Sequence, residues 1–410
     1  MRRMNAAVDN NTAVLSAERL AGGSSDSAGR MANVLQVLPA LGGSGGVERG
    51  TVEIAQAIVD AGGRALVASA GGPLQHDLKQ AGAEHFLLPV DSKNPLVMHA
   101  NIARLSDLIG QQGVDIVHVR SRAPAWSAYF AAKRTNRRFI TTFHGTYGAG
   151  SWLKRYSNSV MTKGERVIAI STFIAGHVRR VYGVPAAKIR VIHRGVDLSR
   201  FNPDNVTAER MVKLAKIWRL ADGLPVIMLP GRLTRWKGQT VFINAIAALG
   251  RRDIRCLLVG SDQGRSGYRR ELEALITKNN LGRIFRVVDH CGDMPAAYML
   301  TDVVVSASTD PEAFGRVVPE AQALGRPVVA SNHGGVRETI IKGETGWLVP
   351  PADAAALAAA IAHVLDLKKP ARQQLAEKAI ANVRENFSKQ TMSFKTLEVY
   401  NEVLHLRESS

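Results

Sequence analysis

Two cysteines, Cys256 and Cys291, are all that the 410 residues contain. So sparse a supply excludes a disulfide framework and points to a reducing compartment, the cytoplasm. No run approaches the roughly 18 uninterrupted apolar residues that a membrane span requires, and the opening MRRMNAAVDNNTAV lacks the apolar core of a secretory signal. No cluster of His or Cys has ligand spacing and no DxD-like pair follows a strand, so no metal site is expected. Aromatic residues make up only 6% of the chain. With no zinc knuckle or aromatic RNP pattern beside them, nucleic acid is not the expected partner despite the charge.

Acidic residues are short as well: 35 Asp and Glu stand against 53 Lys and Arg, a formal net charge of +18. The excess is concentrated, since Met31 to Arg200 holds 21 basic against 10 acidic residues, a net +11. A basic half of this kind suits an anionic partner such as phospholipid headgroups or a phosphorylated acceptor, and equally a merely solubilising surface.

The length is that of two domains. Residues 1–30, rich in Ala, Asn, Ser and Gly without periodicity, read as a disordered tail. From Asn33 the short apolar runs NVLQVLP, ALVASAG, HFLLPV, DIVHVR, FITTFH, RVIAIS and IRVIHR alternate with helical patterns, and after a polar stretch the alternation restarts at Pro225 with PVIMLPG, RCLLVG, FRVVD, VVVSA, PVVAS and GWLVP. Such alternation predicts an α/β fold of two parallel sheets, each covered on both faces by helices. We divide the chain into domains at 31–205 and 206–385, and expect the last segment, 386–410, to be a helix that packs back on the first domain. Ligands of open α/β sheets bind at the carboxyl ends of the strands. Three motifs lie there.

The first is the turn LPALGGSGGVERG, whose glycines let a backbone approach an anion at the start of a helix near Val47. It is not a dinucleotide fingerprint, because Glu48 stands where the third glycine belongs and the second strand ends without an acidic residue. The second is GRLTRWKGQ, in which Arg232 and Lys237 can converge on one diphosphate across a turn. The third is DPEAFGRVVPEAQALGRPVVAS. Here Glu312 precedes a helix and Glu320 lies about one and a half turns inside it, so that both carboxylates can accept from hydroxyl pairs, while the amides of Phe314, Gly315 and Arg316 are open to the same ligand. Read singly, each motif is also compatible with a purely structural role.

Taken together and in order, the Glu-x7-Glu pair Glu312 and Glu320, the Arg232 and Lys237 pair and the turn Gly45-Gly46-Val47-Glu48 resemble glycosyltransferase family 4, over about Val34 to Tyr400. TFHGTY with His144, VIAISTFI with Ser171, VIHRGVD and SNHGGVRETI support the resemblance. It implies a GT-B fold: two Rossmann-like domains with facing parallel sheets and a deep inter-domain cleft. It implies that Glu320 holds the nucleotide ribose, Glu312 a hydroxyl of the donor sugar, Arg232 with Lys237 the diphosphate, Gly45 and Gly46 the phosphates from the first domain, and His144 the transferred sugar. His193-Arg194 departs from the Pro-Asn that relatives often carry before Gly195-Val196-Asp197.

The activity so implied is retaining, metal-independent transfer of a sugar from a nucleotide sugar to a glycan or lipid-linked acceptor in lipopolysaccharide or surface polysaccharide synthesis. No cofactor is implied; the co-substrate is a UDP-sugar by default and a GDP-sugar second. The basic first half, with Arg120, Arg122, Lys133, Arg134, Arg137, Arg138, Lys154 and Arg155, is expected to dock on an anionic membrane. The alternatives are a GT-B sugar-nucleotide epimerase and a non-catalytic nucleotide-sugar-binding protein.

Overall fold

The computed structural model describes residues 31–43, 45–148, 150–220 and 222–406, and the expected tail lies outside the described residues. The first sheet comprises β1 (Asn33–Val37), β2 (Arg64–Ser69), β3 (Glu84–Leu87), β4 (Ile116–Val119), β5 (Arg138–Phe143), β6 (Arg166–Ala169) and β7 (Ile189–Val191). They lie in the order β3-β2-β1-β4-β5-β6-β7. The second comprises β8 (Val226–Pro230), β9 (Arg255–Val259), β10 (Phe285–Val288), β11 (Val303–Ser306), β12 (Val328–Ser331) and β13 (Trp347–Val349), ordered β10-β9-β8-β11-β12-β13. Every strand pairing is parallel.

Central strands such as β1, β4, β8 and β11 are buried along their whole length, as their near-continuous Val, Ile and Leu content requires of a parallel sheet covered on both sides. Strand order reverses between β1 and β4 and again between β8 and β11. A crevice opens at each such switch point beyond the strand ends. The glycine turn follows β1, the Arg232 loop follows β8 and the Glu312 loop follows β11, so the motifs of both domains surround these crevices.

The chain crosses between domains twice, and the crossings are tied together. Val196 N donates to Phe387 O and Lys389 N donates to Val196 O, both at 2.8 Å. Gly195 permits this approach, because a Cβ there would lie 2.6 Å from Lys389 Cα. The final helix, Lys389–His405, then lies on the first domain. Tyr400 Oη meets His118 Nδ1 at 2.7 Å, and Glu402 accepts from Arg166 Nε at 2.7 Å and from Arg190. Among the described residues no helix is long and apolar enough to cross a membrane.

One detail differs from the sequence expectation. The helix carrying Glu320 runs only from Val317 to Ala323, so Glu320 sits in its first turn rather than one and a half turns inside. Gly315, at φ +81°, stops the helix from starting earlier.

Candidate active site in the inter-domain cleft

Lys237 closes a short 3-10 turn, Arg235–Lys237, directly after β8. Its Nζ donates to Glu312 Oε1 at 2.8 Å and lies 4.5 Å from the centre of the Trp236 ring. Glu312 is 9% exposed and also accepts from the Ser308 hydroxyl. Its loop is held from three sides: Gly335 N donates to Glu312 O at 2.8 Å, His333 Nε2 to Ser308 O at 2.8 Å and Thr309 N to Trp236 O at 2.7 Å. Arg232, in contrast, is exposed, and its guanidinium pairs with no carboxylate among the described residues.

Glu320 faces two donors, Tyr298 Oη at 3.3 Å and Arg316 Nη2 at 3.1 Å. Burial, followed by the charge of Glu320, pushes the Tyr298 phenol well above its usual range, so it stays a proton donor. The Phe314 ring is buried, 3% exposed, beside His193 and Phe387. The amides of Phe314, Gly315 and Arg316 donate to no acceptor among the described residues.

On the opposite wall Gly45 caps the helix Gly46–Asp60 in an extended conformation. The Glu48 carboxylate folds back over Gly45, and the side chains of Arg316 and Arg194 flank Gly46 at under 4 Å from where a Cβ would stand. The glycine turn of the first domain and the Glu320 helix of the second are thereby brought together. Beside them Arg49, Arg200 and Arg316 line one pocket with Glu53, Asp197 and Phe201. Burial, then the charges of Arg200 and Arg316, lowers the Arg49 pKa.

His144 follows β5, is half-buried, and its Nε2 has no hydrogen-bond partner among the described residues. Burial first, then Arg120, Arg194 and His118, holds its pKa well below the usual histidine range, which leaves a neutral imidazole.

Two contacts pin the domains together next to the Glu312 loop. Ser171 Oγ donates to Ala313 O at 2.6 Å. Glu338, from the 3-10 turn Gly334–Glu338, accepts from Thr172 N and Phe173 N, both at 2.7 Å, at the start of the first-domain helix Thr172–Tyr182, and from His193 Nε2 at 2.8 Å. Burial opposes ionisation of Glu338, but these donors outweigh it and lower its pKa.

Ser308, Tyr298 and Glu338 are not among the residues expected from the motifs: Tyr298 and Glu338 act through partners distant in sequence, and Ser308, four residues before Glu312, lies just past the end of a strand that reads only as buried core. Arg120 requires a correction. The sequence groups it with the membrane-docking cations, yet it is 3% exposed and donates to Gln36 Oε1 at 3.0 Å. Its place immediately after β4, under the covering helices, turns it inward. Arg138 is likewise engaged, with Glu165 at 2.8 Å.

Residues 44–200 match the family described as Glycosyltransferase Family 4, and residues 213–382 match Glycosyl transferases group 1. A D-inositol 3-phosphate glycosyltransferase from Xylanimonas cellulosilytica is 31% identical over 278 residues, which is 61% of this chain and 63% of that protein, so the match stops short of two thirds of the relative's length. A crystal structure of a glycosyltransferase from Rickettsia africae is similar with a TM-score of 0.86 and 39% identity, over 92% of this chain and 99% of that one. The Anabaena protein HepE in complex with UDP-glucose shares the fold at a TM-score of 0.78 and 23% identity, over 90% of this chain and 100% of that one.

Proposed function

We propose, for a chain that belongs to glycosyltransferase family 4, that the cleft moves a sugar from a nucleoside-diphosphate donor to a glycan or lipid-linked acceptor with retention of anomeric configuration. The observation that carries this reading is the Lys237–Glu312 pair at 2.8 Å, with Glu320, the open amides of Phe314, Gly315 and Arg316 and the glycine turn around it.

In this reading the bond between the sugar C1 and the phosphate oxygen breaks, and the departing diphosphate gathers negative charge. Lys237 and the more exposed Arg232 stabilise that charge, and a fixed, largely buried cation such as Lys237 is worth several kcal/mol. Glu312, already holding the Lys237 ammonium, accepts from a sugar hydroxyl; Glu320 accepts from the ribose diol. The acceptor hydroxyl attacks C1 from the face that the phosphate leaves, and its proton passes to a phosphate oxygen. The UDP-glucose complex of HepE supports UDP as the first nucleotide to test.

For the acceptor, the first domain offers a surface that suits an anionic membrane, and with it a lipid-linked glycan of surface polysaccharide or lipopolysaccharide synthesis made at the inner face of the cytoplasmic membrane. The helix Trp152–Ser159 exposes Trp152 by 75%, Leu153 by 59% and Tyr156 by 64%. Tyr156 stacks on Trp126, which stacks on Phe130. Exposed Lys133, Arg134, Arg137, Lys154 and Arg155 accompany them. Aromatic rings with basic neighbours are the composition of an interfacial helix.

The test is a thermal-shift series with UDP, GDP and their sugar conjugates. A ligand at about 100 times its dissociation constant adds roughly 2.7 kcal/mol of stability. Stabilisation by one nucleotide class identifies the donor, and no shift with any of them rejects the reading.

A further inference from the structure

We infer that a second anion site lies under the glycine turn, where Arg120, Arg194 and His144 receive the carboxylate of an acidic sugar. The inference rests on the sugar-nucleotide reading above and names the substrate class.

The pocket sits at the carboxyl ends of β4 to β7, lined by Arg120, Thr142, His144, Ile170 and Arg194, with Met392 and Thr396 of the last helix above it. Arg120 and Arg194 are 3% and 4% exposed. Neither forms an ion pair among the described residues. Among the described residues the Arg120 side chain makes one hydrogen bond, to Gln36 Oε1, and its Nε has no partner; Arg194 donates to Gly46 O. Burial above all draws the Arg194 pKa down to about 9, which leaves it charged at neutral pH. His118 is spoken for on both nitrogens, by Tyr400 Oη and Thr142 Oγ1 at 2.7 Å, whereas His144 Nε2 is free.

A buried guanidinium without a counter-ion is strongly unfavourable. Glu48 and Glu53 are near enough to be felt by Arg194, and Glu53 by Arg120 as well, but neither closes on a guanidinium, and each has an Oε2 without a hydrogen-bond partner among the described residues. The chain also makes room for this charge. A Cβ on Gly50 would lie 2.4 Å from Arg194 Nη1, so the helix keeps a glycine where alanine would favour it by about 1 kcal/mol. The donor diphosphate has its own partners in Arg232, Lys237 and the helix amides. Without a direct salt bridge to either acid, the two guanidiniums keep donors open to a second anion, and a planar carboxylate fits two guanidinium forks. Arg194 contacts Gly46, which Arg316 also flanks, and Arg316 pairs with Glu320, so the pocket adjoins the donor cleft.

The experiment is calorimetric titration of the wild type, Arg120→Gln, Arg120→Lys and His144→Gln with matched pairs, UDP-glucose against UDP-glucuronate and GDP-mannose against GDP-mannuronate. In a second arm free glucuronate is added to nucleotide-saturated protein. The wild type is expected to bind the acidic member at least about tenfold more tightly. Arg120→Gln should abolish that preference, Arg120→Lys and His144→Gln should reduce it, and all should bind the bare nucleotide like the wild type, which also reports correct folding. A preference seen only with free glucuronate places the carboxylate on the acceptor. Equal binding of both members together with no binding of glucuronate overturns the inference while the donor reading stands. Failure to bind UDP and GDP overturns the donor reading, and the inference with it.

Discussion

Lys237 Nζ and Glu312 Oε1 meet at 2.8 Å in the inter-domain cleft, with the two side chains only 13% and 10% exposed. In the proposed reaction these are the phosphate-side cation and the sugar-side carboxylate, held by their own contact and by the Ser308 hydroxyl, which donates to the same carboxylate. Prior assembly of this kind lowers the reorganisation needed during the reaction.

Lys237→Ala should lower kcat by about 10²- to 10³-fold, the loss typical of removing one fixed stabiliser of developing charge. It should also destabilise the donor-free protein, because Glu312 is left as a buried carboxylate without its cation. Adding Glu312→Gln to Lys237→Ala should restore the melting temperature and leave turnover low. Recovery of turnover in the double variant would contradict the role given to Lys237.

Glu320→Ala should weaken binding of the nucleotide by roughly 10- to 100-fold, the range of a hydrogen-bonded charged group. Tyr298→Phe removes one donor at 3.3 Å and leaves Arg316 in place. It should cost about 1 kcal/mol in nucleotide affinity. Equal effects of the two variants would mean that Tyr298 acts on packing rather than through Glu320.

The motif residues were legible because each lies in a short segment beside a strand end, where local spacing and backbone chemistry coincide: Lys237 five residues after Arg232, Glu320 eight after Glu312. Their partners were not. Tyr298 reaches Glu320 from a separate helix, Met294–Met299, and Glu338 reaches Thr172 across the cleft. Strand alternation announced both sheets but not which face a charged residue at a strand end would take, and Arg120 was accordingly assigned to the surface. Arg194 stood out in sequence only as a departure in VIHRGVD; its burial supplies the physical content of that departure.

Glu338→Ala should release two helix amides and His193 at once. Loss of an N-terminal cap costs about 1 kcal/mol, and charge-assisted bonds add to it, so thermal stability should fall by roughly 2 kcal/mol. Glu338→Gln, which retains an acceptor, should fall less. Unchanged stability in the alanine variant would show that water replaces the carboxylate at no cost.

Trp152→Ala with Tyr156→Ala should reduce sedimentation with vesicles rich in anionic lipid and leave nucleotide binding intact. Lys154→Glu with Arg155→Glu should do the same in a salt-dependent manner, each cation near the surface being worth about 1 kcal/mol. Vesicle binding that survives both pairs of changes, or no vesicle binding by the wild type, would contradict the membrane role proposed for this surface.

Stability should fall as the pH drops below about 6.5, the value at which histidines of the unfolded chain take up protons. His118 and His144 are held well below that value in the folded protein, by burial first and by neighbouring guanidinium charge second. His85 and His177 are lowered as well, with burial the leading cause. Between the unfolded and folded values the unfolded chain binds more protons, so the contribution of each histidine is present above pH 6.5 and is lost toward the folded pKa at up to about 1.4 kcal/mol per pH unit. Carboxylates with lowered pKa, such as Glu338 and Glu402, act only below about pH 4.5 and leave the window from pH 6.5 to 5 to the histidines. Urea midpoints measured across that window should decline, and His144→Gln should flatten the decline by close to one proton. A flat profile in the wild type would mean that these histidines take up protons at the same pH in the folded as in the unfolded chain, and the lowered pKa of His144 would have to be abandoned.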